Sequence, residues 1–401
     1  MDKNIITFYP VDNGDCILLE MKNGLKMMWD CKFRNSVENS DDESKFDVIN
    51  NLLNYKLEKK VSKLPFIDAF VLSHPDQDHC LGFNNKFYLG DPIKISQKDI
   101  DAQKILIGEL WYSPRVFIEH TDELCDDAIA FKKEADRRMR LFKEDPVRAN
   151  QDGNRIRIVG WADLDNLVGL EKRITIPGSE INEVNGHNYN DFRIFIHSPF
   201  RNAIENNDRN ETSIVMQFRF DWNSIKDVAN LILGGDAEWR VWEKIVKLSD
   251  VKTLKWDLFE APHHCSWSFF ADDRENDKPN KSSLDFLAKR NSKAIIVSSS
   301  KYISHKDSNP PCKKAKNRYV KEIGENNFYC TGGDCIDGTP SPLAFEVTNS
   351  GFKKIEHKID DSQAHDYADA FINGKLKLGA TGLNLSLGNS IAKSGGFYGK
   401  E

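Results

Sequence analysis

The chain has 401 residues, with 56 Lys or Arg against 62 Asp or Glu, a formal net charge of −6 and 39% hydrophobic residues. That is enough for one large domain or two ordinary ones, and the charge balance gives no bulk reason to expect a nucleic-acid partner. No uncharged apolar run approaches the ~20 residues of a membrane helix, and the start MDKNIITFYP lacks the basic and apolar regions of a signal peptide, so a cytoplasmic protein with no membrane attachment is expected.

In chain order, residues 5–9, 16–21 and 25–29 read as paired strands, with Asn13-Gly14 and Asn23-Gly24 supplying the turns. Residues 46–59 place Val48, Leu52, Leu53 and Leu57 at helical spacing. Residues 66–72 form an apolar strand that runs into Ser73 and His74. Residues 91–175 are more charged, with a helical pattern over 122–143, and read as a helical insertion or cap. Strand patterns resume at 192–197, 213–220, 230–233, 294–298 and 343–347, with helices at 239–248 and 283–289 between them. Alternating strands and helices predict an α/β layered fold over residues 1–358. Residues 359–401 are glycine-rich and stand outside it as a tail, where 383–387 alternates apolar and polar residues in a way that suits a strand added to a sheet edge, the chain's own or a protein partner's.

The chemistry is sought in the histidine clusters. The eight cysteines are scattered with no CxxC pair, which fits reduced thiols, and the phosphate-loop, dinucleotide and GxSxG motifs are absent. Ser73-His74-Pro75-Asp76-Gln77-Asp78-His79 puts four potential ligands just after a buried strand. So many imidazoles and carboxylates at that spacing share no helix face; a tight loop that converged them would need a cation to offset their repulsion. Gly234-Gly235-Asp236 ends a second apolar strand with a carboxylate that can bridge two cations, although Gly-Gly-Asp is also ordinary turn chemistry. A third strand runs into Pro262-His263-His264-Cys265.

These clusters, in this order, resemble the metallo-β-lactamase-fold hydrolases. HPDQDH is similar to that superfamily's HxHxDH signature, with Asp76 where the second histidine usually stands. Within the superfamily, Gly14-Asp15-Cys16, Asp30-Cys31, the segment beginning Asn210-Glu211-Thr212-Ser213, GGDAE, APHHCS and Ser304-His305 resemble motifs of the hydrolase domain of ComEC-type competence proteins. The resemblance implies a four-layer αββα sandwich carrying two divalent metal ions. Carried over residue by residue, His74 and Asp76 hold one ion, Asp78 and His79 the other, Asp236 bridges, and His263 or His264 completes the second site. It further implies that Asp30 orients a ligand from behind, with His197 a possible extra ligand. Asp76 makes the first site richer in oxygen, so manganese rivals zinc. Cys265, where a glycine is usual, is expected to narrow the cleft or bring a thiol to the metals.

Two segments depart from the overall charge: 131–157 carries +4 and 301–321 carries +6. Charge runs are usually solvated faces, but the second surrounds His305, and Lys313, Lys314, Lys316 and Arg318 are expected to hold a phosphate backbone. The resulting expectation is a phosphodiesterase or nuclease acting on DNA, RNA or a nucleotide with a metal-activated water, in which Asp78 and His305 are catalytic. The alternatives are a hydrolase of a lactam, thioester or lactone, and a metal-bearing scaffold in a larger complex.

Overall fold

The structure, a computed structural model, describes residues 3–34, 45–60, 63–114, 117, 124–161, 167–200, 209–304, 308–333, 335–336 and 339–356. Met1–Ile355 forms one compact unit. The tail segment expected at 383–387 lies outside the described residues.

Strands β1 (Ile5–Phe8), β2 (Ile17–Glu20) and β3 (Lys26–Trp29) form the antiparallel opening, with Ile6 opposite Leu19 and Leu18 opposite Met28. Successive residues of β2 point to opposite faces. Ile17 and Leu19 join a cluster shared with a second sheet, and Leu18 joins one shared with helices. A strand buried on both faces reads as a continuous apolar run. Parallel pairing then links β3 to β4 (Phe66–Val71), and in turn β5 (Leu106–Tyr112), β6 (Arg155–Val159) and β7 (Ile174–Thr175).

The second sheet holds β8 (Glu180–Ile181), β9 (Phe192–Ser198), β10 (Val215–Trp222), β11 (Ile225–Leu233), β12 (Trp256–Glu260), β13 (Arg290–Ser298) and β14 (Phe328–Cys330). It is antiparallel from β8 to β11 and parallel from β11 to β14. The chain then returns to the first sheet through β15 (Leu343–Thr348) and β16 (Gly351–Lys354), giving the order β16-β15-β1-β2-β3-β4-β5-β6-β7.

Between the sheets, Met216, Phe218 and Phe220 of β10 and Leu231 and Leu233 of β11 pack with Ile6, Phe8, Ile17 and Leu19. The other face of the first sheet is covered by α1 (Asp126–Glu144), whose Ala128, Phe131, Ala135 and Met139 form one helical stripe. The other face of the second sheet is covered by α2 (Trp239–Leu248), α3 (Lys281–Leu287) and α4 (Lys313–Ile323) through residues such as Trp242, Phe286 and Tyr319. The fold is thus mixed α/β, as its alternating pattern predicts.

Residues 91–175, expected as an insertion or cap, do not stand apart from the sheet. They supply β5, β6 and β7 as well as α1, and all seven residues of β5 are buried. Gly108 and the buried Glu109 interrupt the apolar run in β5, and the charged outer face of α1 dominates the composition. The underlying strands are therefore hidden from a reading based on charge.

Candidate metal centre

Four strand ends meet at one edge of the two sheets. β3 leads into Asp30, and β4 leads into Ser73, His74 and Asp76, then into a single helical turn, Gln77–Cys80, that carries Asp78 and His79. β11 ends in Gly234-Gly235-Asp236, and β12 leads into Pro262–Cys265. All four strands belong to parallel pairs, whose carboxyl ends are where α/β sheets place ligand sites. The sheets are stitched here, since the Ile214 amide donates to the Ser73 carbonyl at 3.0 Å. Within the second sheet, the His263 amide donates to the Gly235 carbonyl at 3.0 Å and ties the segments that follow β11 and β12.

Two backbone features make the convergence possible. Gly235 has φ +49°, and a Cβ there would lie 2.8 Å from Ser73 Oγ, so no other residue lets β11 and the His74 loop approach this closely. His263, His264 and Cys265 have φ of 50°, 52° and 66°, a left-handed turn of three non-glycine residues that costs roughly 1–2 kcal/mol per residue. Such strain persists where the surroundings over-determine it, characteristically at functional sites. Here it aims two adjacent imidazoles at different oxygens of one carboxylate.

That carboxylate is Asp236. Its Oδ1 lies 3.1 Å from His79 Nε2 and 3.5 Å from His264 Nε2, and its Oδ2 lies 3.5 Å from His263 Nε2 and 3.8 Å from His74 Nε2. Asp78 Oδ2 is 3.2 Å from His264 Nε2, and Asp76 Oδ2 is 3.7 Å from His74 Nε2. Single ligand atoms of Asp78, His79, Asp236 and His264 all lie within 4.8 Å of one another, a cluster that could hold a metal ion. The donor atoms themselves test the fit: His74 Nε2, His79 Nε2, His264 Nε2 and Asp236 Oδ1 are buried and have no hydrogen-bond partner among the described residues. Buried polar atoms without partners are costly, and a cation among these would satisfy them together.

The electrostatics agree. Burial pushes His74 down to about 4, as does neighbouring His79. Burial also opposes charge on His79 and His263, but the carboxylates win: Asp236 and Asp30 raise His79 well above the usual imidazole range, and Asp236 and Glu238 raise His263 to about 9. Asp236 is held well below the usual carboxylate range, because His263, His264 and His79 outweigh its burial.

The sequence-derived positions divide clearly. His74, Asp76, Asp78, His79, Asp236, His263 and His264 are brought together. Asp30 is fully buried behind them; it accepts from Ser73 N at 2.7 Å and Ser73 Oγ at 2.5 Å, and its Oδ2 is 2.9 Å from His79 Nδ1. Asp30→Ala is therefore expected to weaken metal affinity roughly 10–100-fold, measured by metal titration, since partners that orient a ligand carry about that much.

His197 is not brought to the cluster. Its Nδ1 is 3.2 Å from Ser249 Oγ and its ring packs edge-on against Phe195. Burial lowers it to about 3. The unfolded chain therefore binds a proton here that the folded chain refuses between about pH 6.5 and pH 3, so the neutral ring's contribution is full above pH 6.5 and is lost as pH falls. From pH 6.5 to pH 5 the loss is about 2 kcal/mol, and His197→Gln is expected to lose about that much less stability than wild type in denaturant titrations over the same range.

Three of the four residues expected to bind phosphate have their charged ends engaged elsewhere. Lys314 lies 4.0 Å from the Trp267 ring centroid and donates to the Arg274 carbonyl, Lys316 pairs with Glu325 at 2.8 Å, and Arg318 pairs with Glu322 at 3.1 Å. Lys313 opens α4, and His305 lies outside the described residues. The Cys265 thiol does not narrow the cleft; it sits in the apolar cluster with Tyr319, where it contacts the Cys312 carbonyl at 3.9 Å.

Several residues at the site were not picked out as candidates. Asp15 is buried 3.6 Å from His79 Nδ1 and 3.7 Å from His264 Nδ1. Glu238 and Ser268 lie 3.5 and 3.0 Å from His263 Nδ1, buried Glu260 accepts from the Gly234 amide at 3.2 Å, and Arg209 lies 3.2 Å from Asp76. Asp15, Glu238 and Glu260 all stand within or beside the quoted motifs, so adjacency was the available signal. Arg209 likewise stands directly before the quoted motif that begins at Asn210.

No family model and no curated protein matches the chain by sequence. Among solved structures, the crystal structure of unliganded yeast PDE1 aligns with 82% of this chain and 97% of its own, at 13% identity and a TM-score of 0.36, a likeness too loose to bear on function.

Proposed function

We propose that this chain is a hydrolase of the metallo-β-lactamase fold that holds two divalent cations, zinc or manganese, and cleaves phosphodiesters in DNA, RNA or a nucleotide. One observation carries the reading: the two oxygens of Asp236 face separate ligand sets, His79 and His264 on one side and His74 and His263 on the other. In this reading His74, Asp76 and His263 hold one cation, Asp78, His79 and His264 the other, and both adjacent histidines are used. Cations so paired supply an activated water and a clamp for the attacked group.

The chain's own residues supply the rest. Asp78 and Asp76 have side chains 36% and 33% exposed against 5% for Asp236, so these two carboxylates reach solvent, and of them Asp78 is assigned the attacking water's proton. Arg209, 3.2 Å from Asp76, places positive charge beside the cluster, where phosphoryl oxygens would sit. Lys313 and His305 remain candidates for the same task.

The test is a panel of labelled DNA, labelled RNA, bis-p-nitrophenyl phosphate and a chromogenic lactam, each incubated with zinc- or manganese-loaded protein. Cleavage of at least one phosphodiester, abolished by chelator, is the expected result. Cleavage of the lactam alone would overturn the substrate class.

A further inference from the structure

At the back of the metal-binding loop, two thiols face one another. Cys80 ends the helical turn that carries Asp78 and His79, and its Sγ lies 3.6 Å from that of Cys125, the residue that caps the amino end of the 19-residue helix α1. A disulfide needs about 2.05 Å between sulfurs, so a closure of about 1.5 Å joins them. The two thiols are unequal. Cys80 is buried and its Sγ also contacts the Asp76 carbonyl at 3.3 Å, whereas Cys125 is only partly buried and can meet a small solute.

We propose that Cys80 and Cys125 form a redox-modification site, in which Cys125 reacts with a hydroperoxide and Cys80 resolves the product as an intramolecular disulfide. The Cys125 thiolate attacks one oxygen of hydrogen peroxide. An S–O bond forms, the O–O bond breaks, hydroxide leaves and takes up a proton as water, and the sulfur, oxidised by two electrons, becomes a sulfenic acid. The Cys80 sulfur, losing its proton, then attacks the Cys125 sulfur. The S–S bond forms, the S–O bond breaks and a second water departs. The peroxide is the oxidant and is fully reduced.

The local chemistry favours this order. The hydrogen bond between the two thiols, joined by amides of the first turn of α1, lowers Cys125 and raises Cys80, so Cys125 is the thiol that more readily forms a thiolate. Burial raises Cys16, Cys31 and Cys265, and it also raises Cys330, the other partly buried thiol among the described residues, so these react more slowly. The bond would fasten the turn bearing Asp78 and His79 to the amino end of α1.

The experiment uses the full chain, treated with hydrogen peroxide at pH 7, blocked with iodoacetamide and digested for mass spectrometry, with Cys125→Ser and Cys330→Ser alongside. The expected result is a peptide pair linking Cys80 to Cys125 in wild type and Cys330→Ser. It should be released by dithiothreitol and absent from Cys125→Ser, which circular dichroism would show to be folded. Recovery of Cys125 free or as a sulfonic acid with no linked pair would overturn the proposal, as would linkage of Cys80 to another cysteine at the same rate in Cys125→Ser. Because the readout is a covalent bond, it is independent of the hydrolase reading.

Discussion

Replacing Asp236 by alanine is expected to reduce bound metal below two ions per chain and to cut metal-dependent hydrolysis by more than about 100-fold, beyond the 10–100-fold cost of losing a partner that merely orients a ligand. The expectation follows from position, because among the described residues Asp236 is the one side chain that all four imidazoles His74, His79, His263 and His264 approach within 4 Å. Metal content by mass spectrometry and turnover of bis-p-nitrophenyl phosphate check it, with circular dichroism confirming that the variant folds. A variant that kept both metal ions and turned over normally would show that the carboxylate does not bridge.

The second large effect is structural. Glu134 of α1 is buried and accepts from Arg138 Nε at 2.7 Å, Arg137 Nη2 at 2.6 Å and the Gly90 amide at 3.0 Å. Arg138, with no solvent contact, also donates to the carbonyls of Ile107 at 3.1 Å, Gly108 at 3.3 Å and Arg155 at 2.9 Å, tying α1 to β5 and β6. Glu134→Ala would leave a buried guanidinium without its counter-charge, and about 3–5 kcal/mol of unfolding free energy should be lost in a urea titration. Replacing both partners with apolar residues of similar size should recover most of that loss, since the cost lies in the unpaired charge rather than in the missing pair. A loss below about 1 kcal/mol for Glu134→Ala would mean that water reaches Arg138.

The candidate site was readable in the sequence because its chemistry is local. His74, Asp76, Asp78 and His79 lie within six residues, and Asp236 and the histidine pair each follow directly on an apolar strand. Strand ends and short motifs survive in one dimension. The left-handed turn at 263–265 does not, and it is what gives both histidines a place on Asp236 instead of only one.

The misreadings share a different cause, which is that charge in a sequence does not announce its partner. Glu134 and Arg138 look like surface residues of a charged helix, yet they form a buried pair, and the same charge makes 91–175 read as an insertion or cap although its strands belong to the first sheet. Lys314, Lys316 and Arg318 look like a free basic patch, yet each is engaged by a neighbour. His197 has the strand-end context of a ligand, but it faces Ser249 and Phe195, a pairing set by where α2 ends rather than by any local motif.

The most direct test of the paired-cation hydrolase is to strip the protein with chelator and follow bis-p-nitrophenyl phosphate hydrolysis while zinc or manganese is returned in measured equivalents. Activity should be absent from the stripped protein, rise with added metal and level off at two ions per chain, with Asp236→Ala flat throughout. Activity that is indifferent to chelation, or that saturates at one ion per chain, would contradict it.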